Sequence, residues 1–560
     1  METYLQYRRI GKVIRQQLES NNVETARQLP FLSRQETRVV NGRAVLIVGW
    51  DAPDDPMNPR NWPKFRRVYT TLIISAIALM VGLAAPIDAT VLPQAAKDLH
   101  VSEVAESLAV GVFLVGFGLG ALLVGPFSEV LGRNATYIVS LASMCIWLMA
   151  SALAPNFGAQ VVFRFLAGFS GATPLVCAGG SVSDMFTPLE KTYMFPVFAI
   201  PGFLGPPLAS VMGAWIPGSP YLHTWRWTEW VALLTGGVVF FLTFLFQPET
   251  FPPLLLSWKA KHLRAITGDD RYYAEHELEH VSVLKRLRVA LPRPFIMAFR
   301  EPVISLICLY MTVLYIILFT FFDGYDYIFR QTYNISQGLS NTIFIGIAVG
   351  ILFGAVWLPW IYKKTVRAQA EAESKGRKQF DPEIRLWFAM LGGAPAIPVS
   401  LFWMGWSASP NVSIWSPIMA SVLFGYGVIM IFISSYMYII DSYEMYAASA
   451  LTFATLSRYC VAGGMVVVGV PFYSNVGMHW TLTIMGCLSL LLAPIPYVFY
   501  KYGHLIRKKS RFAVNRAVEE EPKPVVPESS GSSSMNIPIE REDKPEEGDQ
   551  GWRGTPAVAH

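Results

Sequence analysis

Five ionisable side chains stand in or beside stretches that are otherwise apolar: Asp88, Arg164, Asp184, Asp441 and Arg458. An arginine at the middle of a membrane helix costs about 2.5–3.5 kcal/mol to insert, so such charges are expected to face a cavity or an opposite charge. Arg164, in Arg164-Phe165-Leu166-Ala167-Gly168, either does this or lies near the outer interface and snorkels. Carboxylates are natural carriers of a coupled proton, because burial favours their protonated form. Asp88, in Pro86-Ile87-Asp88-Ala89-Thr90, and Arg458 are the preferred functional pair. Asp184, Asp441 and Glu444 are read as pathway residues or as solvated interfacial charges.

Two glycine-bearing segments accompany these charges. Gly125-Pro126-Phe127-Ser128-Glu129-Val130-Leu131-Gly132-Arg133 follows the second apolar stretch. Its glycines permit a sharp turn, and Glu129 and Arg133 place opposite charges at a helix boundary, a pattern able to latch two halves of a molecule. Gly205-Pro206-Pro207-Leu208-Ala209-Ser210-Val211-Met212-Gly213-Ala214 sets Gly205, Ala209 and Gly213 four apart, so one helix face allows close packing, and the two prolines bend it. Aromatic residues are dense at Phe319–Phe329 and Tyr426–Tyr438, as suits a cavity for bulky, amphipathic or cationic molecules. His276-Glu277-Leu278-Glu279-His280 has a zinc-protease spacing, but its segment is too short for a protease domain and is read as a solvated helix. No catalytic triad, phosphate loop, metal site or cofactor is expected. The protein is not read as an enzyme.

About twelve stretches are long and apolar enough to position these groups as membrane-crossing helices; Val303–Phe322 carries no charge and Ser340–Tyr362 is another example. With the N-terminus in the cytosol, inward connections hold eighteen Lys/Arg and outward ones only Lys97, Arg226 and Arg330. That bias places both tails inside. The expected fold is all-α, with twelve transmembrane helices in two pseudo-symmetric six-helix bundles. Residues 1–67 form an N-terminal tail, 68–247 and 301–500 the bundles, 248–300 a central cytosolic connection, and 501–560 a largely disordered tail centred on Gly531–Ser534. The five cysteines fall inside spans and read as packing residues. Sequons at Asn334 and Asn411 fall in outward connections.

The segment Gly125–Arg133 resembles the signature of the major facilitator superfamily in the expected loop, with Asn134 replacing the basic residue usual after its arginine. Arg164–Gly168 resembles the fourth-span motif of that family, whose arginine is associated with proton coupling. Gly205–Ala214 looks like the fifth-span motif of drug:proton antiporters, with Ala209-Ser210 and Gly213-Ala214 as departures. Asp55–Trp62, Pro248-Glu249-Thr250, Tyr438–Tyr443, Ala447–Leu451 and Pro494–Tyr497 are similar to fungal twelve-span exporters of the polyamine and multidrug type. The resemblance covers about residues 50–512. It implies a proton-driven plasma-membrane exporter of drugs, toxins, secondary metabolites or polyamines, working by alternating access as a monomer. Its partners would be a small-molecule substrate, protons and the lipid bilayer, with no nucleic acid. The alternative is a nutrient importer on the same fold; Pro248-Glu249-Thr250-Phe251 and Lys501-Tyr502-Gly503-His504 lack the sequences usual in sugar importers.

Overall fold

A computed structural model describes residues 1–20, 37–40, 43–216, 219, 222, 224–278, 288, 290–377, 379–508, 510 and 512–513. His280 and the serine-rich tail at Gly531–Ser534 lie outside the described residues. Among the described residues, twelve helices are long and apolar enough to cross a membrane, from Lys64–Asp98 to Met478–Lys508. They form two six-helix bundles. An even number of crossings brings both tails to one end, here the tail face; the opposite end is the far face.

Local chemistry sets the helix ends. At the far face, Ser102 and Asn156 cap the second and fourth spans by accepting the backbone N–H of Ala105 (3.2 Å) and Ala159 (2.9 Å). At the tail face, Gly132 ends the second span and starts the third in a single residue at φ +90°, a conformation that favours glycine. The first span is broken. Its helix Lys64–Ala84 stops before Pro86, a 3-10 turn follows at Ile87–Val91, and a short helix Leu92–Asp98 completes the crossing. Such irregular backbone survives at membrane depth only inside protein, and Ile87, Asp88, Thr90 and Val91 are all buried.

Lipid supplies no hydrophobic drive for helix association, so close packing at small residues does that work. A Cβ on Gly116 or Gly120 of the second span would collide with the backbone of Phe165 or Phe169 in the fourth. In the second bundle, Gly350 of the eighth span and Gly425 of the tenth meet Val422 and Ile347 in the same manner. Second-to-fourth and eighth-to-tenth are corresponding pairs, so both bundles repeat one packing scheme. Between bundles, Gly111 of the second span abuts Gly463 of the eleventh, and Tyr193 of the fifth meets Tyr362 of the eighth at 4.7 Å between ring centroids.

The first span begins at Lys64 and the twelfth continues to Lys508, beyond the bounds expected at 68 and 500, and two further shifts relocate charges. The seventh helix runs Pro302–Tyr325, past Phe322, so Asp323 lies inside a span expected to be uncharged. The eighth continues through helix Leu358–Ser374, which lifts Lys363, Lys364 and Arg367 out of a connection and onto a helix. Lys364 Nζ sits 4.8 Å from the Trp360 ring centroid, so its stem can follow apolar surface while its charge stays at the rim.

The N-terminal segment and central connection, expected as separate pieces, fold together on the tail face. Helix Glu2–Ser20 lays Ile10 and Ile14 against Leu255, Ala260 and Leu263, the last three on helix Pro252–Thr267. Strands Thr37–Val40 and Arg43–Ile47 pair antiparallel, and Tyr272–Tyr273 adds a parallel third strand. Buried Lys259 pairs with Asp51 and Asp55, fastening the Asp55–Trp62 turn to this layer.

Candidate functional site

The fourth span carries Arg164 into the core of the first bundle, where its side chain is fully buried. Arg164 is the eighth residue of helix Phe157–Gly171, roughly 10 Å from its far-face end at 1.5 Å per residue. It does not snorkel. Its guanidinium pairs with Asp88, and its Nε donates to Glu229 Oε1 at 2.7 Å. Nη1 donates to the carbonyl of Ala84, the last residue of the first-span helix, at 2.8 Å. Ser151 Oγ donates to Glu229 Oε1 (2.6 Å) and Thr228 Oγ1 to Asp88 Oδ1 (2.9 Å). Beside them Gln160 Nε2 donates to buried Glu106 Oε1 at 2.8 Å. Two buried carboxyl groups therefore share one guanidinium, and a third, Glu106, is bonded to Gln160 beside them. The sequence pairs Asp88 with Arg458, whereas the structure brings Asp88 to Arg164; Glu229 and Glu106 were not anticipated. Each lies in the first turn of its helix, where a carboxylate reads as an ordinary interfacial charge.

The break that holds Asp88 also faces a cavity of about 70 Å³ between the bundles. Gly82, Ala85 and Pro86 of the first span line it, with Pro206 of the fifth and Tyr315, Phe319, Phe432 and Tyr459 of the second bundle. The glycine face of the fifth span does its packing here: Gly205 lies against Gly82, and Gly213 against Thr90. Pro206 faces the cavity while its neighbours hold the first span in place. Behind the opposite wall is Arg458, also fully buried, with its guanidinium carbon 4.7 Å from the Tyr315 ring centroid, 4.9 Å from Tyr436, 5.0 Å from Tyr459 and 5.4 Å from Phe432. Among the described residues it has no carboxylate partner, and its nitrogens make no well-formed hydrogen bond; the hydroxyls of Tyr436 and Tyr459 are its polar company. Asp88 and Arg458 thus belong to different bundles and different environments. Asp323 was also missed. It packs on Gly469 and Tyr473 of the eleventh span, and its Oδ2 has no hydrogen bond.

At the tail face, the opposite charges of Glu129 and Arg133 have different surroundings. Glu129 is exposed at the rim of a polar cleft between the bundles. Arg133 instead meets Asp184 (3.4 Å) and donates to Ser128 Oγ (2.7 Å), because the positive-φ turn at Gly132 aims it toward the fourth span. The backbone N–H groups of Arg133 and Asn134 donate to Glu249 at 3.0 and 3.1 Å. Complete burial pushes the Glu249 carboxyl above its ordinary range, although these N–H groups pull the other way. A Cβ on Gly132 would strike this carboxylate, whereas one on Gly125 would meet nothing within 4 Å. All these bonds lie within the first bundle and the layer beneath it.

The ties between bundles are elsewhere. Asp441 accepts from Lys191 at 3.2 Å and from Arg385 at 2.6 Å, and Arg385 also donates to Thr192 Oγ1 at 2.6 Å and the Pro188 carbonyl at 2.5 Å. Asp441 is therefore an inter-bundle charge at the tail face. At the far face, Gln337 donates to the Thr90 carbonyl at 2.7 Å and Trp215 Nε1 to Thr342 Oγ1 at 3.2 Å. Both sequon asparagines, Asn334 and Asn411, are exposed at this face.

Twelve spans in paired bundles, joined at both faces around an internal cavity, define a membrane transporter. The family model for the Major Facilitator Superfamily matches residues 70–467, and the chain belongs to that superfamily. The MFS-type transporter kojT of Aspergillus flavus is 50% identical over 472 residues, covering 84% of this chain and 83% of that protein. The multidrug transporter FLU1 of Candida albicans is 32% identical over 482 residues, covering 85% and 77%. The MFS-type efflux pump MFS2 of Trichophyton rubrum is 33% identical over 470 residues, covering 83% and 77%. In fold, the chain matches the proton:xylose symporter XylE at a TM-score of 0.57 and 14% identity, covering 79% of this chain and 96% of that one. The protein is a transporter of the major facilitator type and not an enzyme.

Proposed function

We propose that this protein is a proton-coupled exporter of small organic compounds, standing in the plasma membrane with its tail face in the cytosol. The observation that carries this reading is the pocket of Asp88, Glu229 and Arg164, joined to the central cavity by the broken first span. One guanidinium balances one carboxylate; a second carboxylate in the same apolar pocket balances only when it holds a proton. Taking up or releasing that proton changes the pull on the Ala84 carbonyl and on Thr228, and so on the backbone that lines the cavity at Ala85 and Pro86. Proton exchange and cavity shape are thereby linked without any change in the transported compound.

The inter-bundle bonds at both faces describe a closed intermediate of alternating access. Opening to the cytosol breaks the Lys191–Asp441–Arg385–Thr192 set, and opening outward breaks the Gln337–Thr90 and Trp215–Thr342 contacts. Export is favoured by the efflux-pump and multidrug names of the relatives. Far-face sequons and the basic residues of the tail-face connections support the orientation. The test is growth of a pump-deficient yeast expressing this chain on a panel of toxic compounds, with and without a protonophore. Protection that disappears when the proton gradient collapses is expected; protection that persists sinks the coupling.

A further inference from the structure

Among the described residues, five arginines are buried within the spans, and four of them have carboxylate partners: Arg67 with Glu190, Arg164 with Asp88 and Glu229, Arg385 with Asp441, and Arg507 with Glu383. The fifth is Arg458. Among the described residues no carboxylate answers it, and all three guanidinium nitrogens are buried without a well-formed hydrogen bond. A buried cation whose company is four aromatic rings and the hydroxyls of Tyr436 and Tyr459 is under-compensated, because neither answers it with the strength of a carboxylate. Its surroundings face the transport route: Tyr315, Phe432 and Tyr459, three of the four rings around it, also line the central cavity. The positive charge stands one ring behind the wall that a transported molecule touches.

We propose that Arg458 is the substrate's counter-charge, and that the exported compound is a small organic acid carried as its anion, with an apolar body. The cavity, about 70 Å³ in this closed state, widens when one face opens and then takes the apolar body of the ligand. Rotation of Tyr315 or Tyr459 opens the guanidinium to the anionic oxygen, which supplies the charge-assisted hydrogen bonds that the fold leaves unmade. Cationic compounds such as polyamines are disfavoured, since the charge set into this wall already has their sign. This reading deepens the exporter assignment and rests on the central cavity being the transport site.

The test uses the full chain purified in detergent, with no proton gradient, and three probes of matched size: benzoate, benzamide and benzylammonium. Titration calorimetry is expected to rank them benzoate first and benzylammonium last. R458Q is expected to weaken benzoate by about 10- to 100-fold, the value of a charged hydrogen bond, while benzamide changes little. R458K, which keeps the charge, should recover part of the loss. Because binding is read here without a proton gradient, a failed protonophore test and a failed anion test are told apart. The wild-type ranking also needs no variant to fold. Equal or stronger binding of benzylammonium, or unchanged benzoate binding in a folded R458Q, overturns the proposal.

Discussion

At the scale of single residues, the decisive facts are where buried charges find partners. Removing one member of a buried ion pair strands the other, at a cost of about 3–5 kcal/mol. Arg164→Ala strands two carboxyl groups, so transport should vanish while membrane insertion, checked by localisation of a fluorescent fusion, persists. Glu229→Gln is more informative because it keeps the shape of the side chain and the Ser151 neighbour. Under the coupling proposed here, it should leave one carboxylate balanced by one guanidinium and so remove the exchangeable proton. Efflux from proteoliposomes should then lose most of its dependence on an imposed pH gradient, and a gradient response equal to wild type would take Glu229 out of the mechanism. At the tail face, Arg133→Gln should impair transport far more than Glu129→Gln, since Arg133 bonds Asp184 and Ser128 whereas Glu129 stands exposed.

At the scale of elements, the first and fifth spans act as a unit. Gly82, Gly202 and Gly205 let their backbones touch, and Gly213 leaves room for Thr90 beside the 3-10 turn that holds Asp88. Gly205→Val has backbone on the other side of its new atoms and cannot be absorbed by a flexible neighbour. The expected outcome is a correctly localised protein with efflux reduced at least about tenfold, the rough consequence of a packing shift of 1.4 kcal/mol or more in one state. Wild-type efflux in Gly205→Val would show that these helices separate during the cycle. The helix Glu2–Ser20 is a second element with a defined seat: Gln6 exchanges hydrogen bonds with the Glu249 backbone, donating at 3.2 Å and accepting at 3.0 Å.

At the scale of the whole molecule, transport requires the bundles to part at one face while the other stays shut. Asp441 joins a residue of the first bundle, Lys191, to one of the second, Arg385. Asp441→Asn should weaken closure at the tail face. A cysteine placed at Ser183, which lines the cleft there, should then react faster with a membrane-impermeant thiol reagent applied from the tail side. No change in reactivity would mean that Asp441 does not hold that face closed.

Hydropathy and charge made much of this legible in advance. Twelve apolar runs, two bundles and the family follow from composition and short motifs, because a segment's preference for lipid is a property of its own side chains. Arg164 was recognisable as a charge needing an answer from a cavity or a carboxylate. What could not be read was which carboxylates supply it. Glu229 lies 65 residues from Arg164, and the Arg385–Thr192 bond spans 193. Which helix faces meet, and therefore that Asp184 and not Glu129 takes Arg133, that Asp441 bridges the bundles, and that Arg458 has four rings and, among the described residues, no acid beside it, is decided only when the spans pack. Chain chemistry alone determined what must be buried; the tertiary arrangement decided which buried charges are neutralised, because Coulomb energy depends on distance in space and not on position along the chain.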